Sequence, residues 1–240
     1  MILILYNIRI PLIDFFRTNT KLINSLKNKF VIFSAGYKGG IGKTIISLGI
    51  AKELDIPYIT NDEGSALSGG IQFYKNTYYT YDYKVDEKLA KSNIVMIDLA
   101  GCFVLDRTIL RLIEKSNLII LPTGENPYLD HTGCLITANN LYDLNPNILF
   151  ITTGIENDRL KDTMFEFNKI KSKYPNFEKL KVLGLSKCNQ IITESFAKKR
   201  TYLRTYLSLN DDLKKEYKRF AKDWTNIIKE INLRIEKNKG

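Results

Sequence analysis

Residues Phe30–Leu54 read FVIFSAGYKGGIGKTIISLGIAKEL. An apolar run leads into a glycine-rich turn ending in Gly42-Lys43-Thr44, and an amphipathic helical pattern follows. That strand, loop and helix order is the context a phosphate-binding loop requires. Backbone N–H groups converge on an anion only where no side chain blocks them, and Gly39, Gly40 and Gly42 clear that space. A helix starting near Gly42 adds its positive dipole end and its unpaired N–H groups at the same point. In such a loop Lys43 reaches the outer phosphates and the Thr44 hydroxyl holds Mg²⁺. Lys38, Gly39, Gly40, Ile41, Gly42, Lys43 and Thr44 are therefore the candidate nucleotide-binding residues.

The loop departs from the general G-x-x-x-x-G-K-[ST] pattern, because Tyr37 stands at the first glycine position. A second lysine, Lys38, precedes the glycines instead. Two ammonium groups in one cradle repel each other. Lys38 makes more sense pointing away, at a phosphate held by a second subunit. The run Lys38 to Thr44, K-G-G-I-G-K-T, resembles the deviant Walker A signature of the ParA/MinD-type ATPases. That resemblance implies a doubly wound α/β fold with a mostly parallel sheet. It also implies ATP and Mg²⁺ as ligands, and an ATP-dependent homodimer in which Lys38 reaches across a sandwich of two ATP molecules.

Further segments extend the likeness to about Phe30–Tyr206. IVMIDLAG at Ile94–Gly101 looks like a Walker B strand, with Asp98 at its carboxyl end to orient the Mg²⁺ shell and Gly101 near the γ-phosphate. LIILPTGENPYLDHTG at 118–133 and ILFITTGIENDR at 148–159 are similar to the family's next strands and nucleotide-side loops. Ile191–Tyr206 is similar to the ParA segment after the last core strand. One departure bears on turnover. ParA proteins show D-x-D-P-Q-G after the second strand, where this chain has Thr60-Asn61-Asp62-Glu63-Gly64. Alignment on Gly64 puts Asn61 at the water-organising aspartate, and a one-residue shift offers Asp62. An amide orients water but takes no proton, so hydrolysis is expected to be slow or absent. Lys38, Lys43 and Asp62 are the catalytic candidates, and Thr44 and Asp98 the metal candidates.

Between these motifs, apolar runs at 58–60, 94–98, 118–121 and 148–152 alternate with helical patterns at 43–54, 105–114, 130–141 and 159–174. That alternation marks a parallel sheet covered on both faces. The tyrosine-rich stretch 73–83 reads as an edge strand and loop with a packing or dimer-surface role. Residues 1–29 form an extension ahead of the ATPase domain, 30–240, whose basic helical end begins near residue 207. The apolar start has neither a basic leader nor a cleavage site, so it reads as a strand or helix extension. It is too short for the DNA-reading domain of larger ParA proteins. Cys102, Cys134 and Cys188 have no metal-ligand spacing and suit a reducing cytoplasm. Cys102 and Cys134 both follow Asp98, which argues against the iron–sulfur reductases that share this loop. His131, the sole histidine, reads as a surface or helix-start residue rather than a base.

The net charge of +10 is uneven. From Lys198 to Gly240 there are thirteen Lys and Arg against six Asp and Glu, a net of +7. Such a bias points to a polyanionic partner. Lys198, Lys199, Arg200 and Arg204 are the densest cluster, and the resemblance implies sequence-independent DNA binding there; Lys214, Lys215, Lys218 and Arg219 extend the patch, with pairing of several of these cations to Asp211, Asp212 and Glu216 as the plain alternative. The last segment carries an apolar helical stripe from Leu213 to Ile235. Docking on the sheet is favoured over a membrane-surface role, because the stripe runs for some six turns. The leading expectation is a cytoplasmic, nucleoid-associated partition ATPase with a ParB-type centromere-binding partner. A MinD-like membrane-positioning ATPase and an ATP-binding scaffold with little hydrolysis are the alternatives.

Overall fold

The computed structural model describes residues 22–60, 74–79, 87–99 and 107–238. Asn61, Asp62, Gly101 and Cys102 lie outside them, as do residues 1–21. Seven strands form one sheet: β1 (Phe30–Ser34), β2 (Tyr58–Thr60), β3 (Thr77–Tyr79), β4 (Ile94–Asp98), β5 (Leu118–Thr123), β6 (Ile148–Ile155) and β7 (Lys181–Ser186). Their order is β3-β2-β4-β1-β5-β6-β7, and every pairing is parallel. The helices are α1 (Lys43–Glu53), α2 (Glu87–Lys91), α3 (Arg107–Lys115), α4 (Thr132–Tyr142), α5 (Leu160–Lys171), α6 (Asn189–Lys198), α7 (Tyr202–Leu207) and α8 (Asp211–Lys237).

Side-chain alternation along the strands divides the interior in two. Ile32, Met96, Ile120, Leu149 and Ile151 face one core, shared with α1, α7 and α8. Val31, Val95, Ile97, Ile119 and Phe150 face the other, shared with α3, α4 and α5. Both faces are covered, so the strands are apolar nearly throughout. The sheet matches the expected doubly wound α/β architecture, and strands β5 and β6 run past their apolar runs to Thr123 and Ile155. The tyrosine-rich stretch supplies the edge strand β3. The expected helix at 159–174 ends at Lys171, whose buried ammonium donates to the carbonyls of Phe177, Glu178 and Leu180 and stops the chain there.

The apolar stripe of the last segment lies inside the domain. Phe220, Trp224, Ile227, Ile231 and Ile235 of α8 are buried. Trp224 is fully enclosed, with its ring 4.9 Å from that of Tyr202 in a T-shaped contact and its indole N–H donating to Glu53. Gly49 makes this approach feasible: a Cβ there would fall 2.4 Å from Tyr202 and 2.8 Å from Trp224. The helix thus grips α1, the helix that begins at the glycine-rich turn. Among the described residues, no helix is long and apolar enough to cross a membrane.

Candidate functional site

The candidate site lies at the carboxyl ends of the central strands. Register places Asp98, the last residue of β4, level with Ser34 of β1 and Thr60 of β2. β1 delivers the chain into the glycine loop, and the loop delivers it into α1. Gly42, the residue before α1, has φ 81°, and Gly40 has φ 78°. That left-handed conformation is one L side chains avoid, so the turn requires glycine at both positions. A Cβ added to Gly39 or Gly40 would meet nothing within 4 Å, so these two backbones border open space.

The two lysines take different places. Lys43 lies inside, its ammonium paired with Asp98 Oδ1 and donating to the Leu99 carbonyl at 2.8 Å. Asp98 is fully buried, and its other carboxylate oxygen accepts the Tyr58 hydroxyl at 2.7 Å. Two donors therefore satisfy a carboxylate that burial alone would make costly. Lys38 lies outside, with its side chain 47% exposed and its ammonium 2.7 Å from Asp130 Oδ1.

Asp130 is a junction that the sequence reading missed. It accepts the Tyr37 hydroxyl at 2.6 Å and the Asn126 backbone N–H at 3.1 Å, besides pairing with Lys38. Burial would raise its pKa, but the bonds from Lys38, Tyr37 and Asn126 outweigh that and hold the carboxyl below its usual range. Tyr37 thereby acquires a reason to stand where a glycine is usual: its ring lies over Gly133, whose Cβ would fall 2.5 Å from it. The glycine loop is tied through Tyr37 and Lys38 to the turn Pro127–His131 ahead of α4.

His131 corrects the sequence reading. It starts the helix as expected, yet it is fully buried rather than on the surface, edge-on to Phe167 at 5.1 Å. Burial lowers its pKa, against weaker opposing pulls from the Gly124 backbone and the Asp130 carboxylate. The folded state therefore binds fewer protons than the unfolded chain, whose histidine titrates near about 6.5. The expected result is stability that is complete above that pH and falls, by at most about 1.4 kcal/mol per unit, as pH drops toward the lowered folded value. Thermal melts at pH 7.5 and 5.5 check this. His131→Gln should flatten the difference, and an unchanged slope would assign it to other groups.

A cavity of about 390 Å³ adjoins the loop. Gly39, Gly40 and Gly42 form one wall; Thr153 and Gly154 at the carboxyl end of β6, and Ser186 and Asn189 around the β7–α6 turn, form others. The sequence reading flagged the 148–159 loop but not 186–189, because nothing in the short run Ser186-Lys187-Cys188-Asn189 marks it as a binding turn. The Ser186 hydroxyl is buried and unpaired among the described residues, and its backbone N–H donates to Asp223 of α8 at 3.2 Å. Glu125 with Arg159 and Glu156 with Lys187 form ion pairs, and Glu125 and Lys187 both line the cavity.

No protein-family model matches the sequence, and no curated protein matches it. Solved structures do match its fold. The pNOB8 ParA is similar with a TM-score of 0.58 at 16% identity, covering 88% of this chain and 99% of that one. A Borrelia burgdorferi protein described as a plasmid partition protein, bound to AMPPNP, has a TM-score of 0.50 at 20% identity over 87% and 99%. The fold is that of the ParA/MinD ATPases. The septum site-determining protein MinD of Pyrococcus horikoshii, complexed with Mg-ADP, shares this ParA/MinD fold at a TM-score of 0.50 and 14% identity, over 85% and 96%.

Within the ParA/MinD fold, the structure brings Lys38, Gly39, Gly40, Ile41, Gly42, Lys43, Thr44 and Asp98 to one place. Lys198, Lys199, Arg200 and Arg204 lie at the corner between α6 and α7, all exposed. Lys198 pairs with Glu194 at 2.6 Å, and in the neighbouring run Lys215 lies 3.9 Å from Asp212 and Arg219 pairs with Asp223 at 2.9 Å, so the plain pairing alternative holds for Lys215. Lys199, with φ 53°, closes α6 and turns the chain. Among the described residues, no group of three or more His, Cys, Asp and Glu is arranged to hold a metal. One carboxylate and one hydroxyl beside a phosphate cradle suit Mg²⁺, which shares its shell with water and phosphate oxygens.

Proposed function

We propose that this chain is a ParA-type partition ATPase that binds Mg·ATP, dimerises around it and holds DNA without sequence preference. The observation that supports it best is the separation of the two lysines. Lys43 is inside the domain against a buried carboxylate, and Lys38 is at the surface on an exchangeable partner.

In this reading the N–H groups of residues 39–44 and the Lys43 ammonium hold the phosphates, while Thr44 and Asp98 hold Mg²⁺. When bound, Mg·ATP supplies the phosphoanhydride bond and a metal charge that offsets negative charge on the phosphates. The residues Thr153, Gly154, Ser186 and Asn189 enclose the remainder of the nucleotide, and the open space over Gly39 and Gly40 admits it. Lys43 then moves from Asp98 to the phosphates, and Tyr58 keeps the freed carboxylate oriented. Lys38 exchanges Asp130 for a phosphate held by a second copy. The exposed cluster Lys198, Lys199, Arg200 and Arg204 contacts DNA phosphates, which carry affinity but little sequence information. A ParB-type protein is the partner that triggers turnover, in a cytoplasmic, nucleoid-associated cycle. The membrane-positioning alternative loses support, since the stripe it needs is inside the domain.

The test separates the lysines. Light scattering with ATP should give a dimer for the wild type and a monomer for Lys38→Ala, which still binds nucleotide. Equal ATP-dependent dimerisation in both would remove the cross-subunit role. DNA co-sedimentation across a salt series should then show tight, salt-sensitive binding with ATP alone. Binding that ignores nucleotide would take DNA out of the cycle.

A further inference from the structure

The amino-terminal edge of the sheet, opposite the phosphate loop, carries a second concentration of positive charge. A hollow of about 600 Å³ is lined there by Lys27, Lys29, Lys115, Asn93, Asn117 and Asn238, among others. A second of about 430 Å³ adjoins it, sharing Phe30 and Asn238 and adding Lys179, Arg234 and Lys237. Together the linings hold six cations and one carboxylate, Glu230. Glu230 is already paired with Arg234 at 2.9 Å and with Lys181. Among the described residues, Lys27, Lys115, Lys179 and Lys237 have no ion-pair partner.

Part of this charge has an ordinary explanation. Helices α1 to α5 and α8 all run toward this edge, and each carboxyl end carries roughly half a negative charge. Lys29 serves such an end, donating to the carbonyls of Ala90 and Ser92. Even six helix ends amount to only about three negative charges. That is still short of the excess of cations over Glu230. Amide donors stand among the lysines. Asn117 is fixed by accepting from the Val31 N–H at 2.8 Å and donating to Asn238 at 3.2 Å, and the Asn93 side chain makes no hydrogen bond among the described residues. One held amide, one open amide and several ammonium groups together suit a multiply charged anion with several acceptor oxygens. The larger hollow is in the size range of small-molecule sites.

We propose that this hollow is a second binding site, for a phosphate-bearing anion, separate from the phosphate loop. The same chemistry serves a free phosphorylated compound or the phosphodiester backbone of a nucleic acid. Asparagine side chains make the test site-resolved, because the glycine loop contains none while Asn189 lines the nucleotide cavity. The full chain, labelled with ¹⁵N-asparagine, is titrated with tripolyphosphate and, separately, with a short DNA duplex. The expected result is movement of the Asn93, Asn117 and Asn238 amide signals. The double variant Lys27→Gln/Lys115→Gln, changed only at exposed residues, should weaken the Kd read from them by roughly tenfold, leaving the Asn189 response intact. Movement with tripolyphosphate alone assigns the site to a small phosphorylated ligand, and movement with the duplex as well assigns it to the backbone. Silence of these signals with both probes, or an unchanged Kd in the double variant, overturns the proposal.

Discussion

Lys43→Ala is expected to reduce ATP affinity by at least roughly a hundredfold, the scale of a lost charge-assisted contact to phosphate. It should also destabilise the nucleotide-free protein, which a loss of ligand contact alone would not do. Asp98 is fully buried, and Lys43 is its counter-ion. Removing one member of such a pair leaves an uncompensated charge, at a cost of about 2–4 kcal/mol here because Tyr58 still donates to the carboxylate. The second substitution Asp98→Asn separates the two effects. Lys43→Ala/Asp98→Asn should recover much of the stability in urea denaturation while still failing to bind ATP by calorimetry. Full stability of the single variant would show that the Lys43–Asp98 pair contributes nothing to the fold.

Trp224→Ala is expected to cost about 3–5 kcal/mol, the range for emptying a large aromatic site that cannot collapse. The walls are Tyr202 and the α1 backbone at Gly49, both fixed, and the Tyr202 hydroxyl is itself tied to the Ile45 carbonyl at 3.0 Å. The same helix carries Phe220, which lines the cavity beside the glycine loop, and Asp223, which holds the Ser186 N–H. Loosening α8 should therefore weaken nucleotide binding as well as lower the melting temperature. Trp224→Phe, which keeps most of the volume, should lose less than half as much. A loss below about 1 kcal/mol for the alanine variant would make α8 a peripheral appendage and return its apolar stripe to the membrane reading.

Much of the fold was legible because its signals are local. An apolar β-branched run before a glycine turn names a strand wherever it lies, and five such runs became the central strands. β3 was half seen among the tyrosines of 73–83. β7 received no boundaries, since Lys181–Ser186 mixes charge, glycine and partial exposure. The glycine-rich turn was equally local, as its glycines answer to backbone geometry within a few residues. His131 was misplaced because a polar residue at a helix start usually faces water, and only the packing of Phe167 from α5 shows otherwise.

By itself the sequence determined the sheet class, the glycine-rich turn between β1 and α1, the Asp98 strand end and a basic, apolar-striped final helix. Each depends on the order of residues within one segment. The tertiary structure decided what those segments meet. It set Lys38 on Asp130, Lys43 on Asp98 beneath Tyr58, the Ser186–Asn189 turn beside the glycines, and Trp224 over Gly49. These contacts join residues from 40 to more than 170 positions apart, such as Tyr58 with Asp98 and Glu53 with Trp224. The side chains involved are ordinary in type, and only strand order and register bring them together; no periodicity along the chain encodes a partner on another element.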